Sequence, residues 1–183
     1  MESVVIEMLR DRGLTLATAE SLTGGMVGSR ICDIPGASDV YVGGVIGYSA
    51  AVKHDLLEVP EGPVVTEAAA RAMASGVRGL LGTDVAVAAT GVAGPDPSEG
   101  RPPGTVCMAV AVGDPAAGGG IESIEVRLPG RRKQVREFTV ITLLGMLRRA
   151  LLATDDGGVG LGSGSADPFA VGDRGRDRTP DAP

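Results

Sequence analysis

The sequence predicts an α/β fold, a three-layer α/β/α sandwich with a mixed, largely parallel sheet. Three observations carry this expectation. Residues 85–89 and 106–112 are continuous apolar runs, the pattern of strands covered on both faces. Segments near 2–12, 67–80 and 131–152 instead repeat apolar residues at helical spacing, and they alternate with the strand-like runs along the chain. Apolar residues make up 43% of the 183 positions while aromatics make up 2%, so Val, Ala, Leu, Ile and Met must build the core. Such small side chains let stacked layers approach closely.

Taken in order, residues 2–12 place Val4, Val5, Met8 and Leu9 on one helical face, and Gly13 stops the helix. Residues 14–19 form a short strand-like run that ends at Ser21-Leu22-Thr23-Gly24-Gly25, and a second helix is expected over 24–32. Pro35-Gly36 turns the chain into 41–48, apolar and glycine-rich enough for a central strand. Its small positions Gly43, Gly44, Gly47 and Ser49 imply that something packs closely against it. A short helix is expected over 50–57, and Thr66-Glu67 then opens a strongly amphipathic one with Ala69, Met73, Gly76, Val77 and Leu80 on one side. Ile124, Val126 and Leu128 alternate with Ser123, Glu125 and Arg127, the signature of a half-exposed strand near an edge. The last helix, over 131–152, turns Val135, Phe138, Thr142, Met146 and Leu147 inward. Residues 1–153 therefore read as one domain. Residues 154–183 hold seven Gly, three Pro and six Asp, and are expected to form a disordered tail.

A net charge of −6 argues against general nucleic-acid binding, which relies on Lys and Arg neutralising phosphates. No uncharged apolar run reaches the ~18 residues of a membrane span, and no leader pattern opens the chain, so a cytoplasmic protein without a membrane partner is expected. Cys32 and Cys107 share no ligand spacing with each other or with the single histidine, and read as buried small hydrophobes in a reducing compartment. His54 has no neighbouring ligand residues, so no metal site is expected.

The chemistry-bearing residues fall in four places. Thr18 to Gly25 reads as a strand ending in a hydroxyl-rich turn that opens a helix, where free N–H groups and the helix dipole attract an anion, and where Ser21 and Thr23 either cap the helix or act on a ligand. In Tyr48-Ser49-Ala50-Ala51-Val52-Lys53 a second such turn is followed by a lysine, which is either a solvated helix residue, a fixed charge for a phosphate, or a base. As a base it must lose water, since a free lysine with a pKa of about 10.4 is neutral only about once in 2,500 at pH 7. Thr90-Gly91-Val92-Ala93-Gly94-Pro95-Asp96 opens a long Gly/Pro-rich loop that runs to Gly104-Thr105, and loops of that length in compact domains usually serve function. Arg131, Arg132, Lys133 and Arg136 crowd the start of the last helix, where cations are unfavourable, so an anionic partner is expected: a surface carboxylate or a substrate phosphate.

Taken together, T-A-E-S-L-T-G-G, Y-S-A-A-V-K, V-V-T-E, A-T-G-V-A-G-P-D and P-P-G-T-V, in this order, resemble the C-terminal domain family of the competence/damage-inducible protein CinA, the nicotinamide-nucleotide amidohydrolases or NMN deamidases. The likeness runs over about residues 2–152. It implies an α/β/α domain that hydrolyses the carboxamide of nicotinamide mononucleotide to nicotinate mononucleotide and ammonia, with no metal or other cofactor. By the same resemblance Ser21 is the nucleophile and Lys53 its activating base, with Tyr48 matching beside them. Gly24 and Gly25, or Gly91, are then the candidates for backbone N–H groups at the oxyanion, and Thr23, Thr90, Thr105 and Arg136 for ribose and phosphate contacts. The family often carries a larger N-terminal domain, absent from this sequence, so a stand-alone form is implied. The expected partners are a small-molecule nucleotide substrate and a second copy in a homo-oligomer, with nucleic acid disfavoured. The alternative reading is a non-catalytic module that senses a mononucleotide or phosphate through the same crevice.

Overall fold

The computed structural model describes residues 1–113 and 120–156. Five strands, β1 (Leu16–Glu20), β2 (Tyr41–Ile46), β3 (Val85–Gly91), β4 (Thr105–Val112) and β5 (Gly120–Arg127), form one sheet in the order β2-β1-β3-β4-β5. β1 lies parallel to both β2 and β3, while β3, β4 and β5 are antiparallel in turn. The sheet is mixed, as expected, but parallel pairing accounts for two of its four strand pairs rather than most of them. The connections explain this. Residues 92–104 hold no helix, and 113–119 is shorter than the roughly 12 residues that a parallel crossover takes.

Helices α1 (Glu2–Asp11), α2 (Met26–Cys32) and α5 (Arg132–Asp156) cover one face of the sheet, and α3 (Ala50–Leu57) and α4 (Glu67–Leu81) the other, giving the three expected layers. The two faces differ in side-chain size because strand residues alternate. Leu16, Val85, Val87, Met108 and Val110 fill the wide space under α1, α2 and α5. Ala17, Ala19, Ala86, Ala88, Cys107, Ala109 and Ala111 point the other way, at Ala69, Ala70, Met73, Ala74 and Val77 of α4. Small residues on both sides bring α4 close to the sheet. The hydroxyl of Thr66 caps α4 by accepting from the Ala69 N–H at 3.0 Å, and left-handed Gly82 ends it.

β2 is an edge strand, not the central one its apolar run suggested. Its Gly44 is explained by Thr18 and Tyr41, whose hydroxyls lie 2.8 Å from each other. A β-carbon on Gly44 would stand 2.1 Å from that Thr18 oxygen, and one on Gly28 would stand 2.5 Å from the tyrosine oxygen. At Gly44 the close packing expected of this strand is thus the seating of one phenol, whereas a β-carbon on Gly43 would meet only Leu81, at 3.8 Å. α2 starts at Met26 rather than 24, because Gly24 and Gly25 both take positive φ.

Several inward assignments shift. Val5, Ile6 and Leu9 are the buried residues of α1 while Val4 is exposed, Leu80 of α4 is exposed, and in α5 Thr139, Leu143 and Leu144 are buried while Phe138 is exposed. Val5 and Leu9 of α1, Ala69, Met73 and Val77 of α4, and Val135, Met146 and Leu147 of α5 are buried as expected. Cys107 is buried, its thiol pushed up to about 12 chiefly by that burial, but Cys32 is exposed. α5 runs to Asp156, past the boundary expected at 153, and residues 157–183 of the expected tail lie outside the described residues.

At the crossing of α3 and α4, a β-carbon on Gly76 would stand 2.2 Å from the Leu57 carbonyl oxygen, whereas one on Gly79 meets nothing within 4 Å. Gly76→Ala is therefore expected to destabilise the protein by about 1–3 kcal/mol, because overpacking against backbone outweighs the better helix propensity of alanine. Gly79→Ala is expected to stabilise it by up to about 1 kcal/mol. Denaturant melts of the two variants check the opposite signs.

Candidate active site

β1 leads through α2 on one face of the sheet and β2 leads through α3 and α4 on the other, so the connections diverge at the carboxyl ends of these strands. Such a divergence opens a crevice in α/β sheets. Here it has a volume of about 290 Å³, and Ser21 after β1, Tyr48, Ala50 and Lys53 after β2, and Thr90 and Gly91 at the end of β3 all line it.

Ser21 is held at the end of β1 by its N–H, which donates to the Ala89 carbonyl at 2.9 Å. Its side chain is 7% exposed, and its hydroxyl makes no hydrogen bond among the described residues. Lys53 sits in the second turn of α3, whose first turn is capped by Ser49 accepting from the Val52 N–H at 3.3 Å. Gly47 makes room for the lysine stem, since a β-carbon there would lie 3.2 Å from Lys53 Cγ. Lys53 is 3% exposed, and among the described residues its amine has neither a hydrogen bond nor an ion pair. Burial pushes its pKa below the ordinary lysine value, and the charge of Glu99 opposes that shift without cancelling it.

Three further groups complete the walls. Tyr48 is 59% exposed, and its oxygen accepts from Arg132 Nη2 at 2.5 Å, while Arg132 Nη1 donates to the Gly94 carbonyl at 3.1 Å. The Thr90 hydroxyl donates to the Val64 carbonyl at 2.8 Å. Glu99, in the β3–β4 loop, accepts from the Val64 and Val65 N–H groups.

The crevice thus gathers Ser21, Tyr48, Lys53, Thr90 and Gly91, but not Thr23, Gly24, Gly25, Thr105 or Arg136. Thr23 is wholly buried, its hydroxyl unpartnered among the described residues and its carbonyl accepting from Arg136 Nη2 at 2.6 Å. Gly24 donates its N–H to the Ser21 carbonyl at 3.0 Å. Gly25 is the left-handed residue just before α2, and Thr105 pairs with Arg127 across β4 and β5. Neither Ser21 nor Thr23 caps α2. That work falls to Glu20, whose buried carboxylate accepts from the Val27 and Gly28 N–H groups at 3.0 and 2.9 Å.

Of the basic cluster, Arg132 reaches the crevice, and its partners are a phenol and a carbonyl rather than a carboxylate. Its place in the first turn of α5, where a cation is unfavourable, was the signal that it needed a partner. Glu99 and the 64–65 segment carried no such signal. Among the described residues no group of three or more His, Cys, Asp or Glu side chains comes together in a way that could hold a metal ion, and no helix is long and apolar enough to cross a membrane.

Ser21 and Lys53 thus line one crevice at the strand ends of an α/β/α domain, the kind of place where such folds commonly bind ligands. The family model of the CinA C-terminal domain matches residues 1–151, and the chain belongs to that family. A CinA-like protein of Frankia casuarinae is 43% identical over 156 residues, which cover 82% of this chain but 35% of that protein. The chain thus spans about a third of the length of that curated relative. Among solved structures, a competence-damaged protein (CinA) superfamily protein of Klebsiella pneumoniae superposes with a TM-score of 0.77 at 32% identity, covering 83% of this chain and 96% of that one. The competence/damage inducible protein CihA of Agrobacterium tumefaciens gives 0.75 at 31% identity, covering 81% and 92%.

The depressed Lys53 pKa is also a statement about stability. Between that value and about 10.4 the unfolded chain binds more protons than the folded one, so folding gains stability as pH rises through this window, and the penalty is complete below it. Lys53→Met removes the penalty. It is expected to raise the melting temperature at pH 7 by about 2–4 °C, the size of a gain of about 1 kcal/mol in a chain of this length, with the advantage shrinking as pH approaches 10. Thermal melts of both proteins across pH 6–10 check it.

Proposed function

We propose that the crevice hydrolyses the carboxamide of nicotinamide mononucleotide to nicotinate mononucleotide and ammonia, with Ser21 as nucleophile and Lys53 as its base. The observation that carries this reading is the buried, unpaired amine of Lys53 lining the same crevice as the unbonded hydroxyl of Ser21. Burial disfavours the ammonium form, so the amine is predisposed to accept a proton.

In the first step Ser21 Oγ attacks the carboxamide carbon while its proton passes to Lys53 Nζ. Collapse of the tetrahedral intermediate breaks the C–N bond, and Lys53 returns the proton to the leaving nitrogen as ammonia departs. Water then attacks the Ser21 ester, giving its proton through Lys53 to Ser21 Oγ and freeing the acid. The Gly24 N–H is occupied by the Ser21 carbonyl. Leu22, next to the nucleophile, lines the crevice and its N–H has no partner among the described residues, so it is the better oxyanion donor in this reading. Tyr48 accepts from Arg132 and retains its own O–H to hand on a proton or hold the substrate. Arg132 spends two of its donors on Tyr48 and Gly94, and the remaining ones suit a phosphate.

One observation favours the non-catalytic sensor instead: Ser21 and Lys53 are not hydrogen-bonded to each other. Unliganded sites, however, often tighten only on binding. Incubation of the pure protein with nicotinamide mononucleotide, with coupled detection of ammonia, separates the two. The expected result is steady ammonia release that falls at least about a thousandfold in Ser21→Ala and in Lys53→Met, with circular dichroism unchanged. Measurable binding with no ammonia over many hours identifies a sensor, and near-normal turnover by either variant removes the assigned roles.

A further inference from the structure

Glu99 is the only carboxylate among the described residues that line the crevice. Its Oε2 accepts two adjacent backbone N–H groups, from Val64 at 2.9 Å and Val65 at 3.0 Å, which leaves Oε1 without a partner among the described residues. The Val64 carbonyl is in turn fixed by the Thr90 hydroxyl, so the carboxylate is tied through one residue to the end of β3. Its backbone takes φ +51°, in the left-handed region that favours glycine. Gly100, the next residue, is left-handed as well, at φ +71°. Glu99 is exposed at the crevice it shares with Ser21 and Lys53, so its clamped oxygen fixes the side chain and its other oxygen is open to a ligand.

The two ends of the proposed reaction differ in the property such an acceptor reads. A carboxamide offers N–H donors and no charge, whereas the acid product offers only acceptors and a negative charge. We propose that Glu99 is the specificity-determining residue of the crevice: its free oxygen accepts from the carboxamide –NH₂ of the substrate and repels the carboxylate of the product. This inference rests on the amidohydrolase reading of the same site. It adds the means by which substrate is distinguished from a product that matches it in every other part. In that reading Arg132, at the crevice wall, holds the phosphate common to both ligands, so discrimination falls to the carboxamide end.

The test is equilibrium binding by calorimetry in a Ser21→Ala background, so that no turnover intervenes, with nicotinamide mononucleotide and nicotinate mononucleotide as the two ligands. With Glu99 present the amide is expected to bind about tenfold more tightly than the acid. This first measurement needs no change at Glu99, and equal or tighter binding of the acid, or binding of neither ligand, overturns the proposal. In Glu99→Gln, whose amide oxygen still serves Val64 and Val65, the ratio is expected to fall to near one, and an unchanged ratio also overturns the proposal. Arg101→Ala supplies the structural comparison. It frees the same loop from Glu125 without removing a crevice group, so it weakens both ligands alike and leaves the ratio in place. Ammonia release by the unmutated protein reports separately on the amidohydrolase reading. Release with no effect of Glu99→Gln on the ratio defeats this inference alone, and a Glu99-dependent preference without release defeats that reading alone.

Discussion

α3 lies so close to α4 that Gly76 has no room for a β-carbon beside the Leu57 carbonyl, and this contact fixes the crevice. Leu57 stands one helical turn beyond Lys53 on the same face of α3. Seating Leu57 in the core therefore also turns the lysine inward, under Gly47 and away from water. The contact is itself a product of composition. α4 can ride low on the sheet only because β1, β3 and β4 present Ala and Cys to it, and a row of valines there would lift α4 and carry α3 with it. The buried amine is thus bought with small residues rather than with a charged partner.

The layers were legible because each rests on a local rule, whereas Ser21, Tyr48 and Lys53 were singled out by motif resemblance as much as by their turns. Continuous apolar runs mark doubly covered strands, and a hydroxyl before an amphipathic run marks a helix cap, as Ser49 and Thr66 show. What could not be read was whatever depends on distant parts of the chain. Tyr41 fills the space over Gly44 and Gly28, so a glycine-rich run that looked central is an edge strand wearing its own aromatic side chain. Thr23 and Arg136, both expected at the ligand, are instead joined to one another by a hydrogen bond from the guanidinium to the Thr23 carbonyl, 113 residues apart. Arg132 and Arg136 are one turn apart on α5, and no local feature of the sequence says which faces the crevice.

Glu20 and Ser21 show how a strand divides its labour. Adjacent strand residues face opposite ways. Glu20 therefore goes under α2, where its carboxylate meets two free N–H groups and the positive end of the helix. Ser21 is left for the crevice. Without that acceptor the first turn of α2 would have to draw on Ser21 or Thr23 as its cap, and the candidate nucleophile would be consumed by a structural hydrogen bond.

The charges of the crevice form an unequal set. Lys53 is deep and unpaired, Arg132 is at the rim and hydrogen-bonded, and Glu99 is held by two amides on the loop side. An ion pair between Lys53 and Glu99 would have been the simplest way to bury the lysine, and it would have fixed the amine in its charged form. The structure takes another course. The Val64 and Val65 N–H groups engage the carboxylate, so Glu99 acts on Lys53 through space alone, and burial retains the larger effect. The 64–65 segment thereby does more than close a wall. By holding Glu99 it keeps a negative charge in the crevice without letting that charge neutralise the amine, and both groups remain available to a ligand.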